Sequence, residues 1–166
     1  SASLAALALA CGGGGHGQHG PDTPPSTIPI EAITFDALYV VNGGSGTLTV
    51  IDTTTHQVAR TLTLENAPFP HHIYQSADRQ RLLVAVPGVD LSGGHAGNGG
   101  HGGHGGAKGS VLMLDASTGK ALAARSLDAA NHNAIFSPDG TEVWTAQAGT
   151  RGHVLVLEAS GLSTKK

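Results

Sequence analysis

From residue 30 onward, apolar and polar positions alternate with a period of two in short runs, the signature of half-buried β-strands rather than helices. Residues 33–35, 38–41, 47–51 and 58–64 read as a first set of strands. Residues 71–75, 82–86, 111–114 and 121–127 make a second, and 134–136, 143–146 and 154–157 a third that lacks its fourth member. Between the strands stand the residues that turn a chain. Ser137-Pro138-Asp139-Gly140 sets a turn through the fixed φ of proline and a glycine free to take positive φ.

The sets are copies of one another. Ser76 and Asp78 match Ser137 and Asp139, and at the same offset His71 matches His132, so a histidine opens both hairpins. The third strands align position by position, from Gly46 to Asp52, Gly109 to Asp115 and Gly152 to Glu158. The first interval is longer because residues 93–109 form a Gly/His-rich insertion. A lone four-stranded sheet cannot bury its faces, and units of about 40–50 residues with four strands each are stacked as propeller blades. The expected fold is therefore all-β: a β-propeller of four-stranded antiparallel blades at 30–64, 71–127 and 132–160. About three blades form an incomplete ring, since closure takes about four to eight.

Leu38-Tyr39-Val40-Val41-Asn42, the run from Gly46 through Asp52 to Val58, and Ser137-Pro138-Asp139-Gly140 resemble the YVTN-type β-propeller repeat of bacterial surface and periplasmic proteins. The resemblance spans residues 33–160. It implies the fold and leaves the function open, because unrelated sites are built on propeller blades. The second unit departs from the pattern, with Ala77-Asp78-Arg79-Gln80 in place of the proline-glycine turn and Val86 where the first unit has Asn42.

Ahead of the strands the composition changes twice. Residues 1–10 are mostly Ala and Leu and stop at Cys11, the sole cysteine; Ala8-Leu9-Ala10-Cys11 resembles a lipobox, which makes residues 1–11 a lipoprotein-type signal remnant and Cys11 a lipidation site. Residues 12–29, rich in Gly, Pro and His, are too poor in apolar side chains to fold and read as a tether, with His16 and His19 solvated. The expectation is an exported protein, lipid-anchored in the cell envelope at the periplasm or cell surface. No apolar run is long enough for a membrane-spanning helix.

Net charge is −3 and only 13% of side chains are charged, so nothing electrostatic points to nucleic acid. No nucleophile elbow, phosphate loop or Cys-His pair is present, and an enzymatic role is not the favoured reading. Asp52, Asp115 and Glu158 are read as structural, accepting backbone N–H groups of the turns that follow them.

The histidines remain. In an antiparallel meander, the links entering first strands and the links from second to third strands lie at one end of the blades. His71, His72 and His132, the insertion residues His95, His101 and His104, and His153 therefore share one end, with only His56 at the other. First strands line the channel of a propeller, which puts His71 and His132 near its mouth on neighbouring blades. Imidazoles so placed suit a transition metal, with copper, zinc or nickel as candidates and haem less favoured, at His71, His72, His132, His95, His101 and His104. The plainer alternative is that these rings bond backbone carbonyls. Three roles are compatible with the sequence: a binding scaffold that presents this end to a metal or a partner protein, a haem- or copper-dependent redox or cofactor-maturation propeller, and a structural surface-layer or adhesion module.

Overall fold

A computed structural model describes residues 31–91, 106–148 and 152–165. Among them are ten strands and no helix: β1 Ala37–Asn42, β2 Thr47–Asp52, β3 Gln57–Thr63, β4 His72–Gln75, β5 Arg81–Val86, β6 Ser110–Asp115, β7 Ala121–Ser126, β8 Asn131–Phe136, β9 Glu142–Gln147 and β10 His153–Glu158. They form three antiparallel meanders, ordered β1-β2-β3, β4-β5-β6-β7 and β8-β9-β10, and the ring they begin is not closed. This is the expected all-β propeller architecture. The repeat signals map onto equivalent places, since β1, β5 and β9 are second strands, and β2, β6 and β10 third strands.

Two expectations need correction. Residues 33–35 do not form a strand, so among the described residues the first sheet has three strands, with none at its innermost position. Only Asp36 separates Phe35 from β1, too short a link for even a two-residue hairpin. The segment instead continues the line of β1, the Asp36 carbonyl accepting the Thr53 N–H at 3.0 Å and hydroxyl at 2.9 Å, and reaches the next sheet, where the Ile33 N–H bonds the Ser117 carbonyl at 2.5 Å. In the third sheet, an isolated bridge between Leu157 and Thr164 begins the fourth-strand position that the sequence seemed to leave empty.

Burial follows the stacking. The alternate residues of β5 enter two separate cores. Leu82, Val84 and Val86 pack with Leu48, Leu64, Leu112 and Leu114 toward the first sheet, while Leu83 and Ala85 pack with Val111, Met113, Val143 and Leu157 toward the third. The middle sheet is thus apolar on both faces, and its two neighbours each bury one. Polar ties cross the same seams. Tyr39 donates its hydroxyl proton to the Ala116 carbonyl, and the Arg81 guanidinium bonds the Ala159 carbonyl at 3.0 Å while lying 5.0 Å over the Phe136 ring.

Candidate metal centre

Three histidines from two sheets meet at one end of the molecule. His72 opens β4, and His71 precedes it, anchored by its own N–H to the Ala85 carbonyl at 2.9 Å. His132 lies in β8, the innermost strand of the next sheet, where the pairing with β9 jumps from Asn131↔Gln147 to Ala134↔Thr145. That jump places one extra residue on β8, a bulge at His132–Asn133 that turns the histidine out of the regular alternation.

The rings of His71, His72 and His132 pack with centroids 4.3–4.8 Å apart. One ligating atom from each lies within 4.8 Å of the others. His71 Nε2 and His132 Nε2 are 3.3 Å apart, close to the edge of a tetrahedron of imidazole nitrogens around zinc, about 3.3–3.4 Å for bonds of about 2.0–2.1 Å. His72 Nδ1 faces the His132 carbonyl at 3.1 Å, so it carries the proton and leaves Nε2 with its lone pair. Tyr74 stacks on the His72 ring, 15° from parallel at 6.3 Å. Burial first, and then the neighbouring His72 and His132, push the His71 pKa below the ordinary 6.5. His71 therefore keeps its neutral, ligating form to lower pH than a free histidine. Three imidazole nitrogens within this span could hold one ion, and a tetrahedral ion so held would have its fourth position for another ligand.

The support beneath these rings is polar and buried. Asn131, 2% exposed, donates from Nδ2 to the Ser110 carbonyl and to Thr145 Oγ1, each at 3.2 Å. Gln147 accepts the Ala129 N–H at 3.2 Å and donates to His153 Nε2 at 2.9 Å. His153 is thus at the expected end but bound to Gln147 and outside the cluster. A cavity of about 250 Å³ lies against His71, walled by Val41, Phe69, Pro70, Asp90 and Leu91. Phe69 holds it in place with φ 55°, a left-handed conformation that a bulky residue adopts only under constraint from its surroundings.

At the other end the Asp52 and Asp115 carboxylates are bonded within their own turns. Asp52 Oδ1 accepts the N–H groups of Thr54 and Thr55 at 2.7 and 3.2 Å, and Asp115 Oδ1 accepts from Ser117 Oγ, Thr118 N and Thr118 Oγ1 at 2.7–2.9 Å. Those bonds hold both carboxyls below their usual range. The matching turn after Glu158 is closed by the main chain, with Leu162 N–H to the Glu158 carbonyl at 2.8 Å. His56 occupies the left-handed position of the first of these turns, away from the cluster. Of the other site residues expected from sequence, His95, His101, His104 and Cys11 lie outside the described residues. The β8 bulge, the Asn131 and Gln147 supports and the Phe69 strain were missed. The asparagines flanking His132 were the available signal, since strand interiors disfavour Asn.

No protein-family model and no characterised protein sequence matches the chain. Solved structures do. It is similar to the dihydro-haem d1 dehydrogenase NirN in complex with DHE, at TM-score 0.56 and 19% identity over 86% of this chain and 26% of that one. It is also similar to hydrazine synthase of Kuenenia stuttgartiensis, at TM-score 0.53 and 17% identity over 72% of this chain and 35% of that one. This chain therefore spans about a quarter to a third of the length of these structures, and at such identities the likeness establishes the fold alone.

Proposed function

We propose that the chain is an exported, membrane-tethered propeller of the YVTN type that serves as a binding scaffold and holds a transition metal (copper, zinc or nickel) between His71, His72 and His132. The observation that carries this reading is the convergence of three imidazoles from two sheets, two of them at a separation that suits tetrahedral ligation. Neutral imidazole is the natural ligand for these ions, and three such donors give affinity while leaving room for an exogenous ligand or a partner protein's side chain. His95, His101 and His104, placed near this end by sequence, would form a weaker second set for uptake.

Titration calorimetry with each of the three metals, on the whole chain and on the His71→Ala/His132→Ala variant, tests the reading. Tight binding that survives in the double variant sinks it. Export rests on the Ala/Leu run ending at Cys11. Cys11→Ser should leave the membrane fraction and lose the lipid mass, and an unchanged mass and fractionation would end that part of the reading.

A second reading is a haem- or copper-dependent redox or cofactor-maturation propeller. It draws on the open coordination position and on the name of one similar structure, a dihydro-haem d1 dehydrogenase. A purified protein with a visible haem or copper spectrum would favour it over the scaffold reading.

A further inference from the structure

The two seams between sheets contain the same niche, filled in one and open in the other. Between the second and third sheets, at the turn end, Arg81 reaches across from β5. It bonds the Ala159 carbonyl, lies over Phe136 and comes within 3.9 Å of where a Gly140 Cβ would stand. Each of these residues has a counterpart one sheet earlier. Ala37 takes the place of Arg81, because the two pair with Asp52 and Asp115. Ala116 takes that of Ala159, their N–H groups bonding the Gln80 and Thr141 carbonyls at 2.9 Å. Gln75 and Arg79 take those of Phe136 and Gly140, in hairpins closed by the same bonds to the Ser76 and Ser137 carbonyls. Where Arg81 fills its seam, the short Ala37 leaves a cavity of about 280 Å³, lined by these four counterparts with Ile33, Phe35 and Tyr39 as further apolar walls.

Arg79 is the residue of this niche that the fold does not ask for. It stands at φ 60° where Gly140 stands at 71°, a conformation that glycine adopts freely and a long side chain does not. Its N–H bonds the Ser76 carbonyl and its carbonyl accepts from Gln75 Nε2 at 3.3 Å, while its guanidinium bonds no group among the described residues. Strain held at a cavity wall by a side chain that braces nothing is the kind kept for function. We propose that the niche binds a small monocarboxylate with an apolar, ring-sized body. The carboxylate meets the Arg79 guanidinium in a forked pair, and the body lies against Ile33, Phe35 and Tyr39. A cavity of about 150 Å³ takes a benzene ring, so 280 Å³ has room for a ring and a short acidic arm. Asp36, the one acidic residue of the lining, selects against a second negative charge. The site lies at the opposite end of the sheets from the trihistidine cluster and needs no metal.

Chemical-shift NMR titration of the whole chain with 3-phenylpropionate, and with its neutral amide as control, tests the proposal. The acid should bind with a dissociation constant below about 1 mM, moving the amide signals of Phe35, Arg79 and Ser117, and the neutral amide should bind at least about tenfold more weakly. Arg79→Gly should keep or raise the melting temperature and yet weaken the acid to the level of the neutral amide. A folded protein that no longer distinguishes the two separates ligand binding from stability. Ala37→Leu, which refills the niche from the position that Arg81 holds in the other seam, should stop both compounds from binding. An unsubstituted chain that does not bind the acid would overturn the proposal. So would equal binding of acid and amide, or binding of the acid that survives unchanged in either variant.

Discussion

The two ends of the sheets are built from different kinds of interaction. At one end every aspartate of the repeated turns is bound within its own turn, a few residues away: Asp52 by Thr54 and Thr55, Asp115 by Ser117 and Thr118, Asp139 by Ser137 and Thr141. At the other end, His71 and His132 meet across 61 residues of chain, and the three rings of the cluster chiefly face one another. Polar groups of the first kind are spent on holding turns. Those of the second kind are held by the packing of whole sheets and keep lone pairs to offer, which is what a binding site requires.

This contrast can be broken at either end. The largest effect is expected from His71→Ala/His132→Ala. Metal affinity should fall at least a hundredfold, about 3 kcal/mol, while the melting temperature of the metal-free protein stays near its original value; a comparable loss of stability would show the rings to be structural. In the unsubstituted protein the sign of the pH dependence is set by the depressed His71 pKa. Its contribution to metal-free stability is complete above the ordinary 6.5 and is lost as pH falls through the lower folded value. The His71 step in metal release should accordingly lie below pH 6.5 in a pH series of the same titration.

Next in size is Gly109→Ala, at the histidine end, which tests how far the cluster depends on the packing beneath it. A Cβ there would sit 2.5 Å from Asn131 Oδ1 and 2.9 Å from Asn131 N, against the residue that supports His132. Overpacking of this kind should cost about 2 kcal/mol or more in chemical denaturation, and it should weaken metal binding too. Unchanged metal affinity would mean that the bulge at His132 does not depend on Asn131.

The smallest effects belong to the paired hairpins. Ser137 Oγ donates to Asp139 Oδ1 at 2.6 Å and accepts the Glu142 N–H at 2.9 Å, so Ser137→Ala should destabilise by about 1–2 kcal/mol without touching metal affinity. The Ser137 hydroxyl first, and then the N–H and hydroxyl of Thr141, lower the Asp139 pKa to about 2, and the substitution should raise it part of the way toward 3.8 in an NMR titration. In the other hairpin Arg79 stands at φ 60° where Gly140 stands at 71°. Arg79→Gly removes a left-handed side chain and adds freedom to the unfolded chain, for a net gain of about 0.5–1 kcal/mol. A loss on denaturant unfolding would show that Arg79 makes a contact worth more than the strain.

The sequence by itself determined the strand period, the repeat and the turn chemistry, because each is local. Ser-x-Asp hairpins and Asp-Thr or Asp-Ser turns satisfy their own hydrogen bonds within a few residues, and alternation with period two survives any arrangement of the sheets. It also sorted His71, His72, His132 and His153 to one end and His56 to the other, since that follows from strand order. What it could not fix was distance. Residues 33–35 alternate as a strand should, yet have no room for the hairpin that would return them to β1. His153 shares an end with His132 but is taken by Gln147. The approach of His71 to His132 depends on how two sheets pack through Leu83, Val111 and Val143, and on a one-residue bulge in β8. Only tertiary structure decided these, because a ligand geometry is specified to tenths of an ångström by contacts that have no trace in the spacing of residues along the chain.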